Sequence, residues 1–216
     1  MRFSRRLFLS LIVSAGLFTQ AAFAAEWGKD YSPVSPPQPV ETGKNIEVLE
    51  IFYYGCPHCF HLEPIITPWI KQLPKDVTFR RMPGIFNDSW LPLAKAFYAL
   101  EAVKELDRLH GALFKAYHEQ HVVLNSDAAI IDWIAKQGVD RNKFSNAYNS
   151  FSVQNKALRA KQLTKAYSIS GVPSVIVDGK YLTSASMTGS HEAMLPVLDQ
   201  LIVQARKERA ADKKKK

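Results

Sequence analysis

Cysteine is scarce in this chain: only Cys56 and Cys59 occur among 216 residues. Two cysteines cannot supply the several cross-links that hold small disulfide-rich secreted domains together. A bridge between them would close a loop of about four residues, worth roughly 2 kcal/mol by the loop-entropy estimate, against about 3 kcal/mol for a 15-residue loop. The pair would therefore contribute little as a structural cross-link, and its placement favours chemistry instead.

A second pair of metal-ligand residues is also missing. Zinc could take Cys56, Cys59 and either His58 or His61, but a structural zinc site usually has four ligands, with a second pair at a distance. The sequence contains no such pair at the expected spacing. We therefore predict no metal and no external cofactor, only the redox-active pair itself, and we assign His61 no catalytic role.

Clustered positive charge is confined to the two ends of the chain. Residues 1–24 contain three arginines and no acid, so their removal lowers the formal net charge from +8 to +5, and Lys213–Lys216 carry four of the remaining positive charges. The body between them is nearly neutral, which gives no reason to expect nucleic-acid binding. Residues 208–216 are predicted to be a disordered basic tail, with a weak contact to an anionic membrane surface as the alternative.

The N-terminus lacks an apolar run long enough to span a bilayer, which takes about 20 residues. Three arginines, Arg2, Arg5 and Arg6, precede the apolar stretch 7–18, and Ala22-Phe23-Ala24 follows it. This order is typical of a secretory signal peptide and disfavours an uncleaved anchor. We predict cleavage after Ala24 and a mature protein that is free in solution.

The remainder predicts one α/β domain with a helical block inside it. Prolines between residues 28 and 45 indicate an extended lead-in. The predicted elements are a strand at 46–54, a helix to about 73 kinked by Pro64 and Pro68, a strand at 77–82, helices between 89 and 168, a hairpin at 174–182 turning at Asp178-Gly179, and a helix at 190–206. The run at 46–54 is apolar on both faces, as in a central strand.

The motif Cys56-Pro57-His58-Cys59 falls at the predicted strand-to-helix junction. At a helix N-terminus, unpaired N–H groups and the helix dipole favour a thiolate, so Cys56 is the predicted nucleophile. Cys59, almost one turn later, could attack the resulting mixed disulfide and release the partner. Pro57 and His58 would tune the redox equilibrium, because any group that stabilises the thiolate makes the disulfide more oxidising.

Two further positions keep two interpretations each. Glu50 lies in the apolar strand six residues before Cys56. It could relay the proton of Cys59, or it could be a solvent-facing charge at a strand edge. Val172-Pro173 precedes the second sheet segment, and about 5 to 6 % of X-Pro bonds are cis, so an ordinary trans turn is the default.

Three segments together resemble the DsbA family of bacterial periplasmic thiol-disulfide oxidases: Val48-Leu49-Glu50-Ile51-Phe52, Cys56-Pro57-His58-Cys59 and Gly171-Val172-Pro173-Ser174. The resemblance covers the mature chain and implies an α/β thioredoxin fold with an inserted all-helical domain. The expected segments are a signal peptide at 1–24, a lead-in at 25–45, thioredoxin-like parts at 46–87 and 169–207, the helical domain at 88–168, and the tail at 208–216.

The same resemblance implies roles and partners. It implies that the Val172-Pro173 bond is cis, packs on the cysteines and binds substrate, and that Glu50 is the family's buried acid. Reduced, unfolded exported proteins would bind an apolar groove near Cys56 and Pro173, and a DsbB-like membrane quinone reductase would reoxidise the pair. We expect a periplasmic, monomeric oxidase; the alternatives are a disulfide reductase or isomerase, or a holdase for unfolded chains.

Overall fold

The structure, a computed structural model, describes residues 25–214. The predicted signal peptide and the last two lysines lie outside these residues. Five strands form one mixed sheet, in the order β1-β5-β4-β2-β3. The strands are β1 Ser32–Pro33, β2 Ile46–Phe52, β3 Val77–Pro83, β4 Ser174–Val177 and β5 Tyr181–Thr183. The helices are α1 Pro57–Ile70, α2 Leu91–Ala102, α3 Leu106–His118, α4 Asp127–Lys136, α5 Arg141–Tyr148, α6 Phe151–Ala166, α7 Ala185–Thr188 and α8 His191–Lys214.

Strand β2 is the predicted central strand. All seven of its residues are buried, and it pairs in parallel with β3 on one side and antiparallel with β4 on the other. An apolar strand that is covered on both faces needs apolar residues at successive positions, which explains why Val48 and Leu49 are both buried side chains. Glu47 and Glu50 are the exceptions; both are buried, Glu50 fully.

The helix after β2 starts where the motif predicts. Cys56 is the residue before α1, with extended backbone, and Pro57 opens the helix, where its missing N–H costs no hydrogen bond. Pro64 and Pro68 both lie inside α1, which nevertheless continues from Pro57 to Ile70.

The helical block predicted for the middle of the chain is present between β3 and β4. Helices α2 to α6 enclose their own core, to which Leu100, Leu113, Ile134 and Phe144 contribute buried side chains. The Ser126 hydroxyl accepts a hydrogen bond from the Ala129 N–H and caps α4, as the sequence indicates. The sheet, this insertion and the framing helices α1 and α8 together give the thioredoxin fold with a helical insertion.

The hairpin also follows the sequence prediction. Strands β4 and β5 pair antiparallel, and Asp178 and Gly179 both have positive φ, 55° and 67°. The Lys180 N–H donates to the Val177 carbonyl at 3.0 Å, so Asp178 and Gly179 are the central residues of the turn; two positive φ values there suit Asp-Gly, and a Cβ at Gly179 would collide with the Gln38 carbonyl oxygen. The short strand β1, inside the predicted lead-in, pairs with the outer side of β5.

The end of the chain differs from the prediction. A disordered tail was expected from residue 208, but α8 continues to Lys214. Its last turns are held by side chains: Lys180 donates to Glu208 at 3.0 Å, and the Arg209 guanidinium donates to Asp178 at 2.9 Å. These contacts with the hairpin explain the added helical turns. Among residues 25–214, no helix combines the length and apolarity needed to cross a bilayer.

Candidate active site

Cys56 lies at the surface end of β2, at the N-terminus of α1. Its thiol is half-buried and donates to the Val172 carbonyl oxygen at 3.2 Å, while its own carbonyl accepts from the Phe60 N–H at 3.1 Å. Both cysteines are free thiols in this structure. Cys56, the nucleophile predicted from the sequence, is thus accessible. It faces the segment 171–174, although Val172 comes 116 residues later in the chain.

The surroundings of Cys56 favour its thiolate. A hydrogen bond from the Cys59 side chain is the largest effect that lowers the pKa of Cys56, to about 6. The backbone N–H groups of Cys59 and His58 and the charge of His58 lower it further, while partial burial opposes them. These are the donors that a helix N-terminus supplies to an anion.

Cys59 has the opposite environment. Its side chain is 0 % exposed, and burial is the main cause that raises its pKa far above that of an ordinary thiol. The hydrogen bond to Cys56, and the charges of Cys56 and Glu50, raise it further. Cys59 is therefore the partner that holds its proton while Cys56 is ionised.

His58 is exposed beside the cysteines. Its ring lies 6.5 Å, centroid to centroid, from His191 at the start of α8. His61, for which we expect no catalytic role, is also exposed. Within residues 25–214, no group of three or more His, Cys, Asp or Glu side chains is arranged to hold a metal ion.

The segment around Val172-Pro173 forms the other wall of the site. The Val172-Pro173 peptide bond is cis, as the resemblance implies. A cavity of about 640 Å³ opens between this segment, His58 and the start of α8. Five serines line it, together with His191: Ser170, Ser174, Ser184, Ser186 and Ser190.

Serine, glycine and histidine are the commonest residues that line this cavity, so the cavity itself is not an apolar groove. Apolar surface lies on the other side of Val172, where Tyr53 and Val172 both pack on the core of the helical insertion. Tyr53 stacks on Trp90 with centroids 3.9 Å apart, and Phe86, 42 % exposed, meets Trp90 edge-on. We call Tyr53, Phe86 and Trp90 the aromatic surface.

Beneath Cys59 lies a cluster of charged side chains, of which the sequence pattern indicated only Glu50. Glu50 is 0 % exposed, so the alternative of a solvent-facing strand-edge charge is wrong. Its Oε2 accepts from Arg81 Nε at 3.1 Å, while Oε1 has no hydrogen-bond partner. Arg81 faces Glu50 because the two are register partners in the parallel pair of β2 and β3.

A second carboxylate completes this cluster. Glu63 accepts from Arg81 Nη2 at 3.1 and 3.2 Å, and from His110 Nε2 at 3.2 Å. Glu63 comes four residues after Cys59 in α1, which puts both on one face of the helix. The four-residue spacing from Cys59 could therefore have indicated Glu63 from the sequence. No sequence pattern connects Arg81 or His110 to the cysteines.

The two carboxyl groups have opposite pKa shifts. Burial raises the pKa of Glu50 to about 7, although the Arg81 charge opposes the shift. Burial also acts on Glu63, but the hydrogen bond from His110, together with the charge and hydrogen bonds of Arg81, outweighs it, and the pKa of Glu63 is lowered. The cluster therefore keeps its negative charge on Glu63 and its titrating proton on Glu50.

Comparisons with known proteins agree with this geometry. Residues 77–194 match the DSBA-like thioredoxin domain. The chain is 44 % identical to the thiol:disulfide interchange protein DsbA of Burkholderia cepacia over 200 residues, covering 92 % of this chain and 94 % of that protein. It is 41 % identical to DsbA of Pseudomonas aeruginosa PAO1 over 213 residues, covering 97 % and 100 %.

Solved structures show the same relationship. The crystal structure of Pseudomonas aeruginosa DsbA superposes with a TM-score of 0.81 at 41 % identity, covering 88 % of this chain and 97 % of that one. The Neisseria meningitidis oxidoreductase NmDsbA1 superposes with a TM-score of 0.76 at 30 % identity, covering 85 % and 95 %. The chain therefore belongs to the DsbA family of thiol:disulfide oxidoreductases.

Proposed function

We propose that this oxidoreductase works as an oxidase, which donates the Cys56-Cys59 disulfide to newly exported proteins. The observation that carries the proposal is the contrast between the cysteines: the pKa of Cys56 is lowered to about 6, and that of the buried Cys59 is raised. Each pKa unit by which a thiolate is stabilised corresponds to about 1.4 kcal/mol, or about 30 mV for this two-electron couple. A stabilised Cys56 thiolate favours the reduced form and makes the disulfide oxidising.

The proposed reaction has two exchange steps. A client thiolate attacks the Sγ of Cys56, the Cys56-Cys59 bond breaks, and Cys59 leaves as a thiolate that takes up a proton. A second client thiolate then attacks the client sulfur of the mixed disulfide, and Cys56 leaves as a stable thiolate. The client is oxidised by two electrons, which the cysteine pair accepts.

Glu50 is the proposed proton donor and acceptor for Cys59. Its pKa of about 7 makes both protonation states accessible near neutral pH. Its Oε1 is buried and without a hydrogen-bond partner, so one oxygen is available for a further proton or hydrogen bond. Pro57 and His58 are proposed to tune the pair from the solvent side, since the His58 N–H and charge act on Cys56.

The proposed client site is built around Val172 and Pro173. The Val172 carbonyl lies within hydrogen-bond distance of the Cys56 thiol, so a client strand that pairs with this segment would bring its sulfur to Cys56. The serine-lined cavity offers hydrogen bonds to the client backbone, and the aromatic surface offers apolar contact. A reduced, unfolded chain presents both kinds of group.

The proposed setting is the periplasm, after cleavage following Ala24, because the first 24 residues have the order of a secretory signal. Repeated turnover needs an oxidant for the reduced pair, and a DsbB-like membrane quinone reductase is the proposed one. We expect the mature chain to act as a monomer.

The equilibrium of Cys56 and Cys59 with glutathione, in the mature protein, tests the direction of electron flow. A potential above about −180 mV, more oxidising than protein disulfide isomerase, supports the oxidase. A potential near about −270 mV, like thioredoxin, makes the chain a reductase and overturns the proposal. A variant with both cysteines changed to serine is the control: full biological function in that variant would make the chain a holdase.

A further inference from the structure

His110 is a buried histidine of the helical insertion, and the proposed reaction does not use it. It is 6 % exposed, and both of its ring nitrogens have partners. Nδ1 lies 2.8 Å from the Tyr54 hydroxyl, and Nε2 lies 3.2 Å from Glu63 Oε1. One ring thus connects α3 of the insertion to two residues that flank the cysteine motif in the thioredoxin-like part.

The chemistry of these partners assigns the ring protons. An ionised Glu63 can only accept, so His110 Nε2 carries the hydrogen and donates. Burial lowers the pKa of His110 and favours the neutral ring, so Nδ1 accepts from the Tyr54 hydroxyl. Burial likewise raises the pKa of Tyr54 well above its usual range, which keeps that hydroxyl a donor.

The hydrogen bonds are divided unequally between the two carboxyl groups of the cluster. Glu63 accepts from Arg81, from His110 and, at 3.4 Å, from the Thr67 hydroxyl. Within residues 25–214, Glu50 accepts from Arg81 alone, and its other oxygen has no hydrogen-bond partner. Because donors stabilise the ionised form, the His110 bond favours charge on Glu63, and repulsion between the carboxylates then leaves the proton on Glu50.

No other ionisable group among the described contacts of His110 can replace this bond. Besides the ring of Tyr54, its hydrogen-bond partner, the rings packed on it are apolar, from β2, α2 and its own helix: Phe52, Phe97 and Phe114. The charged groups that act on it are Glu63, Arg81 and Asp107 of its own helix. A cavity of about 580 Å³, lined in part by Glu63, Arg81 and His110, adjoins the cluster and is separate from the serine-lined cavity.

We propose that His110 is a positioning residue for the disulfide exchange: by donating to Glu63, it keeps the cluster's titrating proton on Glu50, next to Cys59. The helical insertion thereby sets the protonation state of the redox site. This inference rests on the proposed role of Glu50 and adds a residue outside both the cysteine motif and the thioredoxin-like part.

The test is the pH midpoint of the Glu50 carboxyl signal, followed by infrared spectroscopy in the oxidised mature protein and identified by its loss in Glu50→Gln. In the wild type we expect a midpoint near pH 7. In His110→Asn, whose side chain is too short to reach Glu63, we expect the midpoint to fall by a few tenths of a pH unit, because a less stabilised Glu63 carboxylate shares the proton with Glu50. In His110→Gln, whose amide N–H can still donate, we expect a shift less than half as large.

Two controls separate positioning from a general structural effect. His118→Gln changes another histidine of α3, which donates to the Tyr54 backbone carbonyl at 2.8 Å and contacts none of the charged side chains in the cluster; its midpoint should stay at the wild-type value. In a Glu63→Gln background, His110→Asn should cause no further shift, since its effect passes through Glu63.

An unchanged midpoint in His110→Asn, or an equal shift with and without Glu63, would overturn the inference. The glutathione potential reports separately on the oxidase. A reducing potential with a shifted midpoint in His110→Asn rejects the proposed direction of electron flow and supports the role of His110. An oxidising potential with an unshifted midpoint supports the oxidase and rejects the role of His110.

Discussion

Cys56 and Cys59 are three residues apart, yet the regions around them have little in common. Around Cys56 the molecule is polar and open: His58 is exposed, and the neighbouring cavity is lined by serines. Around Cys59 it is closed, and the charges nearby are buried in ion pairs, such as that between Glu50 and Arg81. The first turn of α1 is the boundary between the two.

The difference shows how one helix turn supports two opposite thiols. The N-terminus of α1 supplies hydrogen-bond donors to the Cys56 thiolate, and solvent also stabilises the charge of that thiolate. A few ångströms further in, an isolated charge is costly, so the interior places its negative charge on Glu63, held by Arg81 and His110, and keeps Cys59 neutral. The pair is thus asymmetric before any client binds.

The largest expected effect comes from removing each thiol in turn. Cys56→Ser should lower disulfide donation by at least about a thousandfold, because the buried Cys59 cannot reach a client. Cys59→Ser, with Cys56 first linked to glutathione as a mixed disulfide, should instead hold a client with a single thiol on Cys56: the client thiolate displaces glutathione, and no Cys59 thiol is present to displace the client. Mass spectrometry with a reduced client measures both. A mixed disulfide through Cys59 would reverse the roles assigned here.

The second-largest expected effect is the pH dependence of stability that Glu50 causes on the buried side of the site. The folded pKa of Glu50, about 7, is above the ordinary value of 4.5, so its contribution to stability is fully present below about pH 4.5 and is lost as the pH rises through 7. Glu50→Gln should remove this loss and make the oxidised protein more stable at pH 8, by on the order of 1 to 3 kcal/mol. Urea unfolding between pH 4.5 and 8 measures it.

Glu119→Gln, which changes an exposed acid of α3, is the matched control. It should leave the pH dependence of unfolding as in the wild type. A Glu50→Gln variant that loses stability equally at every pH would mean that Glu50 is ionised throughout and bound tightly by Arg81.

The exposed side of the site was predictable from the sequence, and the buried side was not. The strand, the turn and Pro57 at the first helical position are local signals, and together they put Cys56 at a helix N-terminus. The Asp178-Gly179 turn is local in the same sense, and it is confirmed. Such elements depend on residues that are neighbours in sequence.

The buried cluster depends on pairings over long distances. Arg81 meets Glu50 only through the register of β2 and β3, and His110 meets Glu63 only because α3 packs on α1, 47 residues away. The helical end of the chain was not predictable for the same reason. It depends on how the hairpin meets α8, where Glu208 and Arg209 find partners in residues 178–181.

On the open side, His58→Leu should raise the pKa of Cys56 by about one unit, because it removes a charge next to the thiolate while leaving the backbone donors in place. The potential should fall by about 30 mV for that unit. The ultraviolet absorbance of the thiolate against pH gives the first value and glutathione equilibration the second. His61→Leu, an equally exposed histidine of α1, should change neither.

The smallest expected effect is that of His191, which meets His58 across the serine-lined cavity at 6.5 Å between ring centroids. At that distance, next to solvent, two charges interact by less than about 1 kcal/mol, and salt reduces this further. Burial lowers the pKa of His191, so at neutral pH it is mostly uncharged. His191→Asn should therefore change the pKa of Cys56 by at most about 0.3 unit. The thiolate titration at low salt can resolve this shift. A change as large as that of His58→Leu would mean that both histidines act directly on the thiolate, and that the open side of the site is a charged network in its own right.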